Sequence, residues 1–310
     1  MPDTYITGTL AELNNHYAKK QSKLLQNLTE DTAVLNEIKF EPASHGMWNA
    51  YEEVTKIKGA GFVDMNAPLP SLGVDTQLKK VDLSILGGEI FVPEDTAKMF
   101  GSAEAYFAKK TPALLKEAGM TAEQNLIYNN IAKFAKDKGK LQSAGGTAAT
   151  GNTGLYSMYA FRQIEGENIG LYSPEGFKNG AGLDVAKING GNLYKDSNGV
   201  LGYGIRLKGY FGFQLANAKG VAGIVNINAS HIPTAAQIDD MLIQARATSA
   251  NTFIICHPKV LSLLNTYKGN VLQMTTRDQD LNRTYMSWNG IRFITSYNFI
   301  DGNEKQITVS

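Results

Sequence analysis

The sequence predicts an α+β chain with extended appendages, on three observations. Apolar residues recur at helical spacing near the start. Strand-like alternation surrounds a stretch rich in proline and glycine between residues 48 and 91. Beyond residue 154, short strands mix with helices without a repeating βαβ period.

Between residues 9 and 35, Leu10, Leu13, Tyr17, Leu24, Leu25 and Leu28 form an apolar stripe among Lys19, Lys20 and Lys23. This reads as an amphipathic helix, too narrow to stand alone, that must rest on the rest of the chain or on a second copy. Tyr51, Val54 and Ile57 then lead into Gly59-Ala60-Gly61, and Leu78, Val81, Leu83, Ile85 and Ile90 lead back, as in a long two-stranded excursion. Pro68 and Pro70 cannot donate ladder hydrogen bonds and Gly73 permits unusual backbone angles, so residues 59 to 73 read as an irregular tip. A two-stranded arm is marginal alone in water and needs a surface to lie on.

Residues 94 to 139 are the most helical region. Ala103, Ala105, Phe107 and Ala108 precede Thr111-Pro112, which reads as a cap and first-turn proline. Gly119 reads as the end of a turn, and Thr121 with Gln124 as a capping box for a face of Leu126, Ile127, Ile131, Phe134 and Ala135. A long rod with one break is expected. Residues 145 to 154 are a loop by composition. Residues 155 to 164 and 168 to 173 read as paired strands, and residues 192 to 217 as two longer strands joined through Asp196-Ser197-Asn198-Gly199. Another strand follows at 221 to 228, a capped helix at 234 to 249, a buried strand at 251 to 258, a helix at 259 to 267, and a final strand or pair at 288 to 299.

Composition narrows the function. A chain of 310 residues with 43% apolar and 19% charged residues can bury a sizeable core, and its net charge of +1 gives no global field for nucleic acid or an anionic membrane. The single cysteine, Cys256, excludes an intramolecular disulfide and a multi-thiolate metal site, and suits a reducing cytoplasm. The first twenty residues lack the pattern of a secretory signal, and apolar runs are strand-sized, so a soluble chain without a membrane span is expected.

Chemistry is sparse. Cys256-His257 tempts as a nucleophile and base, but neighbours on a strand point to opposite faces, so a buried thiol beside a strand-to-helix corner is the reading preferred. His16, His45, His231 and His257 are too scattered for a metal motif, and no phosphate-binding glycine loop occurs. Lys133, Lys136, Lys138 and Lys140 form the densest basic stretch, but without interleaved aromatic residues it reads as a solvated helix end. No catalytic, cofactor-binding or metal site is predicted.

Three passages carry a resemblance. Glu94-Asp95-Thr96-Ala97-Lys98-Met99-Phe100-Gly101-Ser102-Ala103-Glu104-Ala105 running to Leu126-Ile127-Tyr128-Asn129 is one. Ser157-Met158-Tyr159 through Gly170-Leu171-Tyr172-Ser173-Pro174-Glu175-Gly176 to Ala181-Gly182-Leu183 is the second, and Tyr203-Gly204 through Phe211-Gly212-Phe213-Gln214-Leu215-Ala216 to Val225-Asn226-Ile227 the third. In this order, over roughly residues 35 to 300, the chain resembles the HK97-fold major capsid proteins of tailed bacteriophages, those of short-tailed phages in particular.

The resemblance implies an N-terminal arm at 1–45, an extended hairpin or E-loop region at 46–93, a spine helix at 94–140, mixed strands of the peripheral and axial domains at 141–228, and a mainly axial region at 229–310. It implies self-assembly through hexamers and pentamers into an icosahedral shell around a phage genome. Tyr51, Phe62, Met65, Leu69 and Leu72 of the E-loop would be the assembly contacts. Portal, scaffold and decoration proteins would be further partners, with nonspecific contact to packaged DNA. The chain would form the virion capsid, assembled in the host bacterial cytoplasm, without enzymatic activity or cofactor. Lys56, Lys58 and Asn66 lie in the proposed E-loop, but nothing matches the lysine–asparagine cross-link site of some relatives, and no cross-link is expected. The alternatives are an encapsulin-like compartment, a tail or decoration protein, and a hydrolase using Cys256 or a histidine.

Overall fold

A computed structural model of the chain describes residues 32–65, 67–148, 154–173, 184–267, 272–276, 284–300, 302 and 304–309. Most of the helix expected at residues 9 to 35 lies outside them; its described end, from residue 33, is a turn.

Strand β1 (Phe40–Pro42) is followed by β2 (Trp48–Lys58) and β3 (Gly73–Asp82), which pair antiparallel as a hairpin. The intervening residues 59–72, including Pro68 and Pro70, form no strand. The return arm does not continue the excursion beyond Leu83. There the chain starts β4 (Ser84–Pro93), which leaves the hairpin and pairs along ten positions with β10 (Leu201–Leu215). A two-stranded ribbon gives β4 one ladder, whereas in the sheet it lies against the rod and buries Val92.

The rod begins with α1 (Glu94–Met99), turns through Gly101 at φ +88°, and restarts as α2 (Ala103–Gln124). Ser102, whose Oγ accepts from Ala105 N at 3.1 Å, is the cap. The break expected near Thr111-Pro112 and the restart at Thr121 are not found: α2 runs through Pro112 and Gly119. Thr111 is buried and its Oγ1 donates back to Phe107 O at 2.7 Å, while Phe107 and Leu115 are buried on either side. Packing of this face outweighs the local propensity of one exposed proline. The rod continues as a π-helical segment (Asn125–Ala132), in which Asn130 Nδ2 donates to Asn125 O at 3.0 Å, and ends in α3 (Lys133–Asp137) before Gly139 at φ +62°.

Two sheets hold the remaining strands. In the first, β10 is the axis: β4 lies along one edge, and β9 (Tyr194–Lys195), β8 (Asp184–Lys187) and β7 (Asn168–Tyr172) share the other, with β1 beyond β7. The expected second long strand is thus only the two-residue β9, although the turn at Asp196–Gly199 is there, with Asp196 Oδ1 accepting from Asn198 N and Val200 N. Glycine matters at Gly202, where a Cβ would lie 2.2 Å from Val92 O.

The second sheet has the order β13 (Leu272–Thr276), β14 (Thr284–Trp288), β15 (Ile291–Thr295), β12 (Thr252–Cys256), β6 (Tyr156–Arg162), β11 (Val221–Ile227) and β5 (Leu141–Ser143). The expected pairing of residues 155–164 with 168–173 fails because β11 and β12 occupy both edges of β6. A single bridge at Ile164 and Asn168 remains, after which β7 crosses to the first sheet, held by Asn168 Nδ2 on Asn217 O (3.1 Å) and Asn217 N on Asn168 Oδ1 (3.1 Å).

Strand alternation gives this sheet two cores. Tyr159, Phe161, Phe253 and Ile255 meet Leu126, Ile127, Ile131 and Ala135 of the rod. Met158, Ala160, Ile254 and Cys256 meet α4 (Ala235–Gln244) and α5 (Pro258–Leu263) on the other side. The capped helix expected at 234 to 249 is α4, with Thr234 and Gln237 as its capping box, and of the strand or pair expected at 288 to 299 only β15 lies there, since its partner β14 starts at Thr284.

Candidate assembly interface

The hairpin stands on a polar root. Ser44 Oγ accepts from Ala50 N at 3.0 Å, and Leu83 N donates to Met47 O at 2.9 Å. Asn49 Nδ2 donates to Gln214 Oε1 at 2.6 Å, and buried Gln214 in turn donates to Gly166 O at 2.6 Å. Trp48, half-buried, stacks on His45 with ring centres 3.9 Å apart, and Lys80 Nζ lies 5.3 Å from the Trp48 ring. These contacts fix the direction in which the two strands leave the body.

Beyond the root, register decides which side chains share a face. Trp48 pairs with Asp82, Tyr51 with Lys79 and Val54 with Thr76, but Lys56 pairs with Asp75, so Thr55 is an extra residue on β2. This is a β-bulge, and Thr55 Oγ1 donates to Asp75 O at 3.1 Å within it. Side chains alternate along a strand, so Ile57, three residues after Val54, would otherwise fall on the opposite face. The bulge pairs Ile57 with Val74, on the face already carrying Val54 and Leu78. These four are 68%, 60%, 49% and 68% exposed for Ile57, Val74, Val54 and Leu78 respectively.

The other face is polar. Glu53 and Lys79 form an ion pair there, whose hydrogen bond lowers the carboxyl's pKa and raises the ammonium's. Tyr51, on this face, is half-buried, and partial burial raises its hydroxyl's pKa. Tip residues Phe62, Met65, Leu69 and Leu72 are all exposed, the first two almost completely. The hairpin thus leaves an apolar face and an apolar tip in water, the pattern that candidate interaction surfaces carry. At its root, a groove of about 290 Å³ is lined by Val81, Ile85, Ala122, Phe211 and Phe213 among others.

Sequence reasoning therefore located the hairpin and its tip but missed the stripe of Val54, Ile57, Val74 and Leu78 as a unit. The only signal for it was the unequal spacing of Val54 and Ile57 against the even spacing of Val74, Thr76 and Leu78.

The chemical candidates stand elsewhere and do not converge. Cys256 is wholly buried, and burial pushes its thiol up to about 12, the opposite of what an activated nucleophile needs. His257 spends its Nδ1 on Lys259 N at 3.2 Å, capping α5. His45 stacks at the hairpin root, His231 Nδ1 lies 3.1 Å from Asn228 Oδ1, and His16 is outside the described residues. Among the described residues no cluster of three or more His, Cys, Asp or Glu could hold a metal, and no helix is long and apolar enough to cross a membrane. Lys133, Lys136 and Lys138 are exposed at the end of the rod.

No family model matches the chain, and no curated protein matches it. Solved structures do. A structure of bacteriophage Epsilon15 aligns with a TM-score of 0.56 at 14% identity, over 86% of this chain and 87% of that one. The capsid of bacteriophage JBD30 aligns with a TM-score of 0.55 at 8% identity, over 87% and 92%. The JBD30 capsid decorated with minor capsid protein trimers aligns with a TM-score of 0.52 at 6% identity, over 87% and 91%. Identity is 14% or less in each, so the likeness is one of fold. The chain has the HK97-type fold of phage capsid proteins.

Proposed function

We propose that this chain is a major capsid protein, copies of which assemble through hexamers and pentamers into an icosahedral shell around a phage genome. One observation carries the reading beyond the fold: a hairpin rooted firmly in the body leaves its apolar face and tip uncovered in a single copy. A second copy can cover them, and many such contacts sum over a closed lattice. Phe62, Met65, Leu69 and Leu72 at the tip, with Tyr51 nearer the root, are the proposed contacts. The hairpin and the groove at its root are different patches of one subunit, so a contact of this kind is heterologous, and in this reading the rotation between copies closes it into rings.

In this reading the first sheet with the rod is peripheral and the second sheet with α4 and α5 is axial. The chain performs no reaction and needs no cofactor. Exposed Lys133, Lys136 and Lys138 would meet packaged DNA through salt-dependent contacts. Portal, scaffold and decoration proteins are further proposed partners, the virion capsid is the proposed location, and assembly is placed in the host cytoplasm.

Electron microscopy of the expressed protein tests this. Closed shells of uniform size are expected. Tubes or isolated trimers would move the chain to a tail or decoration role, and shells that retain an enzyme instead of nucleic acid would mark a cellular compartment.

A further inference from the structure

Residues 304–309 cross the second sheet without helix or strand of their own. Three ties hold them. Asn226, at φ +60° in the bulge of β11, meets Ile307 with both edges of its amide: Nδ2 donates to Ile307 O at 2.7 Å, and Oδ1 accepts from Ile307 N at 2.9 Å. Gln306 Oε1 accepts from Ala148 N at 3.2 Å. Glu304, 6% exposed, accepts on Oε1 from Tyr128 Oη at 2.8 Å and Ser157 Oγ at 3.0 Å. Tyr128 Oη accepts in turn from Ile300 N at 2.8 Å. Ile307 and Val309, half-buried, pack against the core that includes Tyr159 and Phe299.

Of the three ties only Glu304 can change its charge. The groups facing it are Tyr128 from the rod and Ser157 and Tyr159 from β6, and Lys305 beside it on the same segment is exposed. Among the described residues no cation pairs with it. Two hydrogen-bond donors favour the ionised form, but burial outweighs them and pushes the carboxyl up to about 7. Tyr128 and Tyr159 are held neutral, burial raising both hydroxyls further. An ion buried without a counter-charge is the costly state, and the cheapest relief is to carry it into water.

We propose that Glu304 is a protonation-controlled latch on the strap formed by residues 304–309. Neutral, it holds the strap against β6, β11 and the rod; ionised, it lets the strap lift and uncovers the apolar surface beneath Ile307 and Val309. The proposal stands on the geometry of a single copy and does not depend on shell formation.

Hydrogen exchange of the full chain, read by mass spectrometry from about pH 5.5 to about pH 8.5 and corrected for intrinsic exchange, tests it. Protection of residues 304–309 is expected to fall about tenfold per pH unit from the acid end of the range up to the carboxyl's midpoint at about 7 and to level off above it, while β6 stays protected. Glu304→Gln is neutral throughout and accepts the same two bonds, so its strap should stay protected across the range. Ser157→Ala removes a donor that favours the carboxylate, so the midpoint should rise. Equal wild-type protection at both ends of the range would overturn the latch, as would a wild-type profile in Glu304→Gln. Should Glu304→Gln fail to fold, an unmoved or lowered midpoint in Ser157→Ala overturns it.

Discussion

Glu123 is wholly buried on the rod, and among the described residues its carboxylate ties two other parts of the chain to it. Oε2 accepts from Val34 N (3.0 Å) and Leu35 N (3.1 Å), while Oε1 accepts from Asn298 Nδ2 (3.0 Å) and from Ser296 Oγ. Removing it strands buried donors on two segments, so Glu123→Ala should cost about 3–5 kcal/mol in urea unfolding, well beyond a surface substitution. Glu304 ties stability to pH. Its folded pKa, about 7, lies above the ordinary carboxylate value of 4.5. Its contribution is therefore complete below that ordinary value and is lost as pH rises through about 7, by about 3 kcal/mol in all. Unfolding curves at two pH values on either side of that window check the sign, and Glu304→Gln should flatten the difference. Gly202→Ala, which drives a Cβ into the Val92 carbonyl, should destabilise by about 2 kcal/mol or more on the same assay. None of these three roles was legible in the sequence, because each depends on a partner far along the chain.

At the scale of elements, the proposed hairpin contact can be tested apart from stability. Ile57→Lys and Leu78→Lys alter side chains that a single copy leaves in water, so each should change subunit stability by less than about 0.5 kcal/mol while blocking particle formation. Normal particles from both variants would show that this face is not used. The rod gives a different test. Pro112 is exposed inside a continuous helix, so Pro112→Ala restores an internal donor and should stabilise the subunit by about 1–2 kcal/mol, read by thermal unfolding. The apolar face of the rod, Leu126 to Ala135, was legible from its spacing because it is buried as one stripe. Its caps were not: Thr111 and Thr121 have cap-like sequence, but tertiary packing carries the helix through them. The hairpin was legible from alternation and from Pro68 and Pro70, whereas the bulge at Thr55 is a matter of pairing register, which one strand's sequence cannot fix.

At the scale of the whole molecule, the mixed α+β class, the order of hairpin, rod and strands, and the helices α4 and α5 could be read from local pattern. The assignment of strands to sheets could not. Adjacent β6 and β7 lie in different sheets because β6 is already paired on both edges, a fact set by residues 60 to 98 positions away. In the proposed shell the near-zero net charge of +1 would matter at this scale, since copies packed at lattice density would repel strongly if each were highly charged. In the proposed function one copy is incomplete and finds its missing cover on identical partners. Sedimentation velocity of the full chain over a range of concentration measures this directly. A uniform, fast-sedimenting closed particle is expected to form at the expense of the 33.7 kDa subunit. A chain that stays a compact solitary subunit at the highest concentration reached would contradict it.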